Sequence, residues 1–293
     1  MKILLIGIIL ILLSTLTGSS FDTIAKILST NLFKWYHFFS FGISFGIFIL
    51  LFFMNFSGGI KNHIILKKKE NYIIPIIRGI TFVPIPLCAF FALKNIDISI
   101  YTTLIMTMPF FVLIFSSIIL NEKLNYISWL SVIFGFIGVI LVLKPTATDI
   151  NIFVLLPMII AIYHGLNFVF VSKYSDKASP YGYTFYFFLP LTFFSFIFSF
   201  FDPIILNLKE LFLVLGSGAF VMLSIVCWTS AFHIAGRYSS IISCFLFTQI
   251  IWAAIYGNIL FSEKLDLVSI VGIIIIILAG IIALNNNNKI NIT

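Results

Sequence analysis

Charge is what this sequence has least of. Only 9% of its 293 residues are Asp, Glu, Lys or Arg, while 61% are hydrophobic and the mean hydropathy is +1.18. A water-soluble domain carries about a quarter charged residues, so a soluble fold of this composition would leave much apolar surface facing water. Cysteine is scarce too. Cys88, Cys227 and Cys244 are odd in number and lie inside apolar runs, which reads as buried packing and not as a disulfide framework or metal site. No H-E-x-x-H, G-x-S-x-G, phosphate-binding glycine loop or intrahelical aspartate pair occurs. This argues against an enzyme and against an ATP-driven pump in one chain. No cofactor, metal ion or nucleic acid is implied. The net charge of +7 is spread thinly between apolar runs, as a topology signal and not as a basic stripe.

What is abundant is long charge-free sequence. The runs are 3–21, 35–60, 79–93, 98–121, 124–143, 150–172, 178–201, 211–236, 238–262 and 267–288. The third reaches 71–93 if Arg78 is admitted near its start. A spanning helix needs about 20 apolar residues, because lipid offers an unpaired backbone group no partner. Ten transmembrane helices are expected. Lys2 and the small polar group Ser14 to Ser20 imitate a signal peptide, but no A-x-A-like site follows, so a retained first helix is expected. With the N-terminus inside, Lys2, Lys61, Lys67, Lys68, Lys69, Lys123, Lys173, Lys177, Arg237 and Lys289 are cytoplasmic. Six lysines (Lys26, Lys34, Lys94, Lys144, Lys209 and Lys264) then lie outside. This bias predicts a multi-pass inner-membrane protein with both termini cytoplasmic.

The chain also repeats itself. Residues 119–124 read ILNEKL and residues 260–265 read LFSEKL, 141 positions apart. Gly18, Phe21 and Lys26 match Gly165, Phe168 and Lys173 at a shift of 147. Each unit then has five helices, and an odd number means that the second enters the membrane from the opposite side. The expected fold is an all-α integral membrane protein of two inverted five-helix repeats, 1–144 and 150–288. Inverted repeats are characteristic of secondary transporters.

Arg78-Gly79, the stretch from Ile100 to Leu124 with Pro109 and Asn121-Glu122-Lys123, Gly135 to Gly138, Leu143-Lys144-Pro145 and Ser262-Glu263-Lys264 together resemble the EamA type of the drug/metabolite transporter superfamily. Arg78-Gly79, Leu120-Asn121-Glu122, Leu143-Lys144-Pro145 and Leu213 to Gly218 are similar to proteobacterial members that include S-adenosylmethionine carriers. The resemblance implies a secondary transporter moving a small organic metabolite, an amino acid or related compound, by alternating access. S-adenosylmethionine uptake or exchange is one alternative, and a non-transporting receptor or assembly subunit is another. The expected partners are a small molecule and the bilayer; a homodimer stays open.

Polar residues inside spanning runs are costly and usually face the bundle interior. The candidates for substrate contact are Gln249, Thr107, Thr103, His164, Asn167, Trp228 and Arg78, with His233 and Asn258 also inside runs. Gln249, near the middle of its run, is foremost; a hydrogen bond between helices is its competing role. Thr107 sits in the paired helix beside the equivalent position, where bonding to its own helix carbonyls competes. Arg78 could meet a carboxylate, but lies ~10 Å along its helix from Asn71 and is expected to snorkel to the headgroups. His164 and His233 read as packed neutral imidazoles. Pro109, Pro190, Pro84 and Pro86 interrupt their runs near the middle, where a freed carbonyl can face a cavity; a kink that helps packing is the competing role. Glu122 and Glu263 are expected to sit at helix starts as structural residues, and Asp22 with Lys26 to form an i,i+4 pair.

Overall fold

The computed structural model describes residues 2–29, 34–96, 98–145, 152–262 and 266–290, and every regular element among them is helical. Ten helices are long and apolar enough to cross a bilayer: α1 (Lys2–Leu28), α2 (Trp35–Phe56), α3 (Lys69–Ala89), α4 (Ile100–Ile119), α5 (Tyr126–Leu143), α6 (Ile152–Lys173), α7 (Pro180–Phe201), α8 (Leu208–Ile234), α9 (Gly236–Phe261) and α10 (Leu267–Leu284). At 1.5 Å per residue the shortest are ~27 Å long, close to the ~30 Å of a hydrocarbon core. Large apolar side chains face outward all round the bundle; Phe48 is 67% exposed, Phe200 81% and Leu267 80%. That surface suits lipid.

Local signals start several spans. The Asn125 side chain accepts from Ser128 N at 3.0 Å before α5. Ser179 accepts from Gly182 N at 3.1 Å with Pro180 opening α7. Asn207 and Glu210 form a reciprocal capping box at α8. Each satisfies amide groups that a helix start leaves without intrahelical partners.

Among the described residues α3 turns at Val83 between Ile73–Phe82 and Pro84–Asn95, and two further spans are discontinuous as matching members of the two repeats. In α4 the helix Ile98–Ile105 ends and Met108–Ile119 begins. Pro109 explains the break, since it lacks an amide proton and its ring clashes with the Ile105 carbonyl. In α9 the helix Ser239–Cys244 passes through a tight turn at Phe245–Phe247 before Thr248–Phe261. Thr107 Oγ1 donates to Leu104 O at 2.6 Å, and Thr248 Oγ1 donates to Phe245 O at 2.6 Å. Both pairs are related by the 141-residue shift. So are Asn121 (φ 54°) and Ser262 (φ 55°), the left-handed residues that end these helices.

The inversion of the units can be read from α5 and α10, their corresponding fifth members. These helices cross where Gly138 and Gly272 touch: a Cβ on either would lie 2.7 Å from the other's carbonyl oxygen. Lys144, at the carboxyl end of α5, pairs with Asp266 at the amino end of α10. The corresponding helices are therefore antiparallel, and the two units point in opposite directions. Helix α1 likewise runs antiparallel to α8, with Gly7 against Ala235 and Ser14 bonded to Ser224.

Candidate functional site

The seam between the units is lined by polar side chains at two levels. One level is built on α1, where Ser14, Gly18 and Asp22 recur at i, i+4 and i+8 on one stripe. The Ser14 hydroxyl donates to Ser224 O at 2.9 Å, and Ser224 Oγ returns a bond to Ser14 O at 2.8 Å. Thr15 meets Thr248 at 2.8 Å and Ser20 meets Tyr256 at 2.9 Å. Gly18 leaves room beside Ser224 and Gln249; a Cβ there would lie 3.1 Å from Ser224 Oγ. Gln249 Nε2 donates to Asp22 Oδ2 at 2.9 Å, joining the two repeats across the seam. The Asp22 side chain is not fully covered by its neighbours although it lies within a spanning helix.

The deeper level is built around Arg78. Its neighbour Gly79 lets α3 press on α7 at the point where Pro190 removes a backbone donor: a Cβ on Gly79 would lie 2.1 Å from the Tyr186 carbonyl, four residues before that proline. Arg78 is turned inward and only 2% exposed. Its Nε donates to Asn167 Oδ1. The guanidinium carbon lies 5.1 Å from the Phe187 ring centroid, 5.2 Å from Tyr183 and 5.7 Å from Trp228. Both Nη atoms are buried and have no hydrogen-bond partner among the described residues. His164 and Asn167 share one face of α6, and the His164 ring lies among Phe82, Tyr163 and Phe168 at 5.5–6.3 Å. Trp228 meets Phe168 edge-on at 4.4 Å. The two levels are continuous, since Ser224 and Trp228 lie one turn apart on α8, ~6 Å along its axis.

Arg78, His164, Asn167 and Trp228 are thus brought together, whereas Gln249 belongs to the other level with Asp22. Thr107 bonds to its own helix at the α4 break; Thr103 is buried in the first segment of α4, 8% exposed. Three readings change. Snorkelling of Arg78 is excluded, because close packing at Gly79 carries the adjacent side chain into the bundle. Asp22 reaches Gln249 across the seam, while Lys26 lies over the Phe261 ring at 4.2 Å. Glu122 is engaged with the start of α9 and not with the start of its own next helix. It accepts from Ser240 N at 3.3 Å and from the Ser240 hydroxyl. Glu263 and Lys264 lie outside the described residues.

Sequence reading gave Asp22 only a pairing with Lys26 and passed over Ser14 and Ser224 as site residues. The i, i+4, i+8 stripe on α1 is the signal that could have found them. Elsewhere, the amino-terminal face is joined across the repeats by Glu122 with Ser240 and by His63 with Ser179 at 2.7 Å. Burial pushes Glu122 above the ordinary 4.5, against the bonds from Ser240. On the opposite face Asp202 takes Lys34 at 2.8 Å and Tyr36 at 2.5 Å, which hold it below the usual carboxylate range. A shallow groove of about 680 Å³, lined by Ile114, Ser117, Ile118, Glu122, Lys123, Leu124 and Trp129, lies on the flank of α4 and α5. Exposed Ile118 (70%) gives it an apolar outer wall, and Glu122 borders it at the end where the repeats meet.

An inverted pair of five-helix units with broken fourth helices and a polar seam defines a membrane transport protein. The family model described as "EamA-like transporter family" matches residues 5–144 and 151–285, so the chain belongs to that family. It is 26% identical over 296 residues to an S-adenosylmethionine uptake transporter of Rickettsia prowazekii (strain Madrid E), covering 99% of this chain and 96% of that one. It is 34% identical over 128 residues to a riboflavin transporter of Vibrio cholerae serotype O1, covering 44% and 43%. Over 217 residues it is 25% identical to a pseudopaline exporter of Pseudomonas aeruginosa (strain UCBPP-PA14), covering 73% and 75%. A solved crystal structure superposes with a TM-score of 0.77 at 12% identity, over 99% of this chain and 98% of that one. That likeness concerns the fold alone. The chain is a multi-pass membrane transporter of a small molecule and not an enzyme.

Proposed function

We propose that the protein moves a small organic metabolite, an amino acid or related compound, across the cytoplasmic membrane by alternating access. The two repeats rock against each other about a seam lined by α1, α3, α4, α6, α8 and α9. Arg78, Asn167, His164 and Trp228 contact the substrate at the deeper level and Gln249 contacts it at the outer one. Thr103 and Thr107 shape the break in α4. Both termini face the cytoplasm, so the face closed by Glu122 and Ser240 is the cytoplasmic one. The observation that carries the reading is the polar line from Asp22 through Ser224 to Arg78 between two oppositely directed units. A seam of this kind can present one set of groups to either side in turn.

A second, narrower reading is uptake or exchange of S-adenosylmethionine. Near-full-length likeness to two such transporters, of R. prowazekii and R. bellii, favours it, as do the aromatic faces around Arg78. Protein in sealed vesicles tests both readings. Saturable uptake of labelled S-adenosylmethionine supports the narrower one. Transport confined to other metabolites removes it, and absence of transport for the whole panel removes the carrier. Gln249→Ala should lower transport at least tenfold with little change in melting temperature, and full transport would remove Gln249 from the site. A reporter fused at Thr293 that reads as external would reverse the topology.

A further inference from the structure

The sequence is most basic where α2 gives way to α3. Lys61, Lys67, Lys68 and Lys69 stand close together there, against the one carboxylate of Glu70. All four are exposed, and none forms an ion pair among the described residues. Other lysines have acidic partners: Lys34 pairs with Asp202, Lys144 with Asp266 and Lys177 with Asp176. Exposed apolar side chains flank the cluster. Phe56 is 74% exposed, Ile65 63% and Ile60 37%. A lysine stem can lie along such side chains while its ammonium reaches out to charged headgroups.

The segment is tied to the bundle. Gly58 (φ 110°) and Gly59 (φ 95°) turn the chain off the end of α2, in a conformation that favours glycine. His63 and Leu66 then face inward, while Lys61, Ile65 and Lys67 face outward. His63 Nδ1 meets Ser179 Oγ at 2.7 Å, and the Tyr186 hydroxyl donates to Ile64 O at 2.7 Å. Leu66 packs with Ala178, Tyr183 and Tyr186 around the start of α7. This anchor joins the first repeat to the second. Tyr183 is also one of the rings around Arg78, 5.2 Å from the guanidinium carbon.

We propose that residues 57–70 are a docking surface for anionic phospholipid, with headgroup phosphates on Lys61, Lys67, Lys68 and Lys69 and acyl chains against Phe56, Ile60 and Ile65. Charge complementarity carries the choice of partner. The phosphate of a choline lipid is cancelled by its own ammonium, whereas an anionic headgroup keeps a net charge to set against the lysines. Basic clusters directly beside a spanning helix recognise anionic lipid on that ground. The position of the cluster supplies the consequence. Lipid bound here holds the His63–Ser179 join, and through Leu66 and Tyr183 it steadies the wall of the seam beside Arg78. The inference goes beyond the transport reading and does not depend on the substrate. With both termini cytoplasmic, the lipid belongs to the cytoplasmic leaflet.

Native mass spectrometry of the purified full-length protein tests it, with dioleoylphosphatidylglycerol and dioleoylphosphatidylcholine as probes. Wild type should retain the glycerol lipid roughly tenfold better than the choline lipid. Lys67→Gln, Lys68→Gln and Lys69→Gln together should cut that preference about fivefold or more. Arginine at the same three positions should keep it. Lys123→Gln with Lys173→Gln, on the same face but outside the cluster, should leave it unchanged. In wild type, the glycerol lipid should also slow amide hydrogen exchange across 60–66 and 178–183 and leave 267–284 as it was. That measurement needs no variant, so it stands even if the glutamine variant fails to fold. Equal retention of the two lipids, an undiminished preference in the glutamine variant or a lost preference in the arginine variant overturns the inference. So does exchange at 178–183 that the lipid does not alter. Full displacement of the lipid by inorganic phosphate would assign the lysines to a free anion and overturn it as well. None of these outcomes bears on the carrier, whose own failure is absence of transport in vesicles.

Discussion

Arg78 carries a full charge into a place where lipid and protein offer little to solvate it, and its environment has the signature of a functional position. Truncating Asn167 to Ala should cost ~2–3 kcal/mol, because a bond to a charged group is lost and a buried N–H is left unpaired. The melting temperature of purified protein measures this, and an unchanged value would deny the bond its structural weight. Glu122 makes a pH prediction. Burial raises its folded value above the ordinary 4.5, so the folded state favours the protonated form. That contribution is full below pH 4.5 and is lost as pH rises through the raised value. Glu122→Gln keeps an acceptor for Ser240 and never ionises. Its melting temperature should therefore gain on wild type between pH 4.5 and 8, and parallel curves would contradict the assignment. Arg78 was legible in the sequence as a polar residue in an apolar run, but its direction was not. Flanking residues such as Ile76, Ile77 and Ile80 are apolar on every side and give no face to read. Asp22 was assigned to Lys26 for a related reason: i,i+4 spacing is visible in the sequence, whereas its partner Gln249 comes from a helix 227 residues away.

At the scale of the helix, the broken fourth and ninth spans are the informative elements. Pro109 makes the α4 break readable from sequence. The α9 break has no proline, and only its repeat relation to α4 exposes it, through Thr248 as the counterpart of Thr107. Glycine placement governs how closely spans approach. In lipid, where association depends on packing and not on expulsion of water, close approach is a main source of stability. Gly79→Ala would put a Cβ 2.1 Å from the Tyr186 carbonyl. It should destabilise the protein by ~1–3 kcal/mol and disturb the setting of Arg78. Gly216→Ala is the control: it sits in α8 with nothing within 4 Å of a Cβ and should cost nothing. Equal effects of the two substitutions on melting temperature would sink the close-packing account of α3 on α7.

At the scale of the whole molecule, the ten spans and their duplication were legible because membrane insertion imposes length and polarity rules on the sequence itself. The pairing of spans was not. That depends on which small residues meet, as Gly138 and Gly272 do, and on contacts between repeats far apart in sequence, such as Glu122 with Ser240. The account stands on the claim that the repeats move about their seam, and cross-linking the amino-terminal face tests it most directly. Glu122→Cys and Ser240→Cys, made in a chain lacking Cys88, Cys227 and Cys244, place two thiols across the repeats for a short bifunctional reagent. Uptake by the unlinked variant in vesicles should fall to background when cross-linking is complete and return when a cleavable linker is reduced. Full transport through the linked protein would contradict the account.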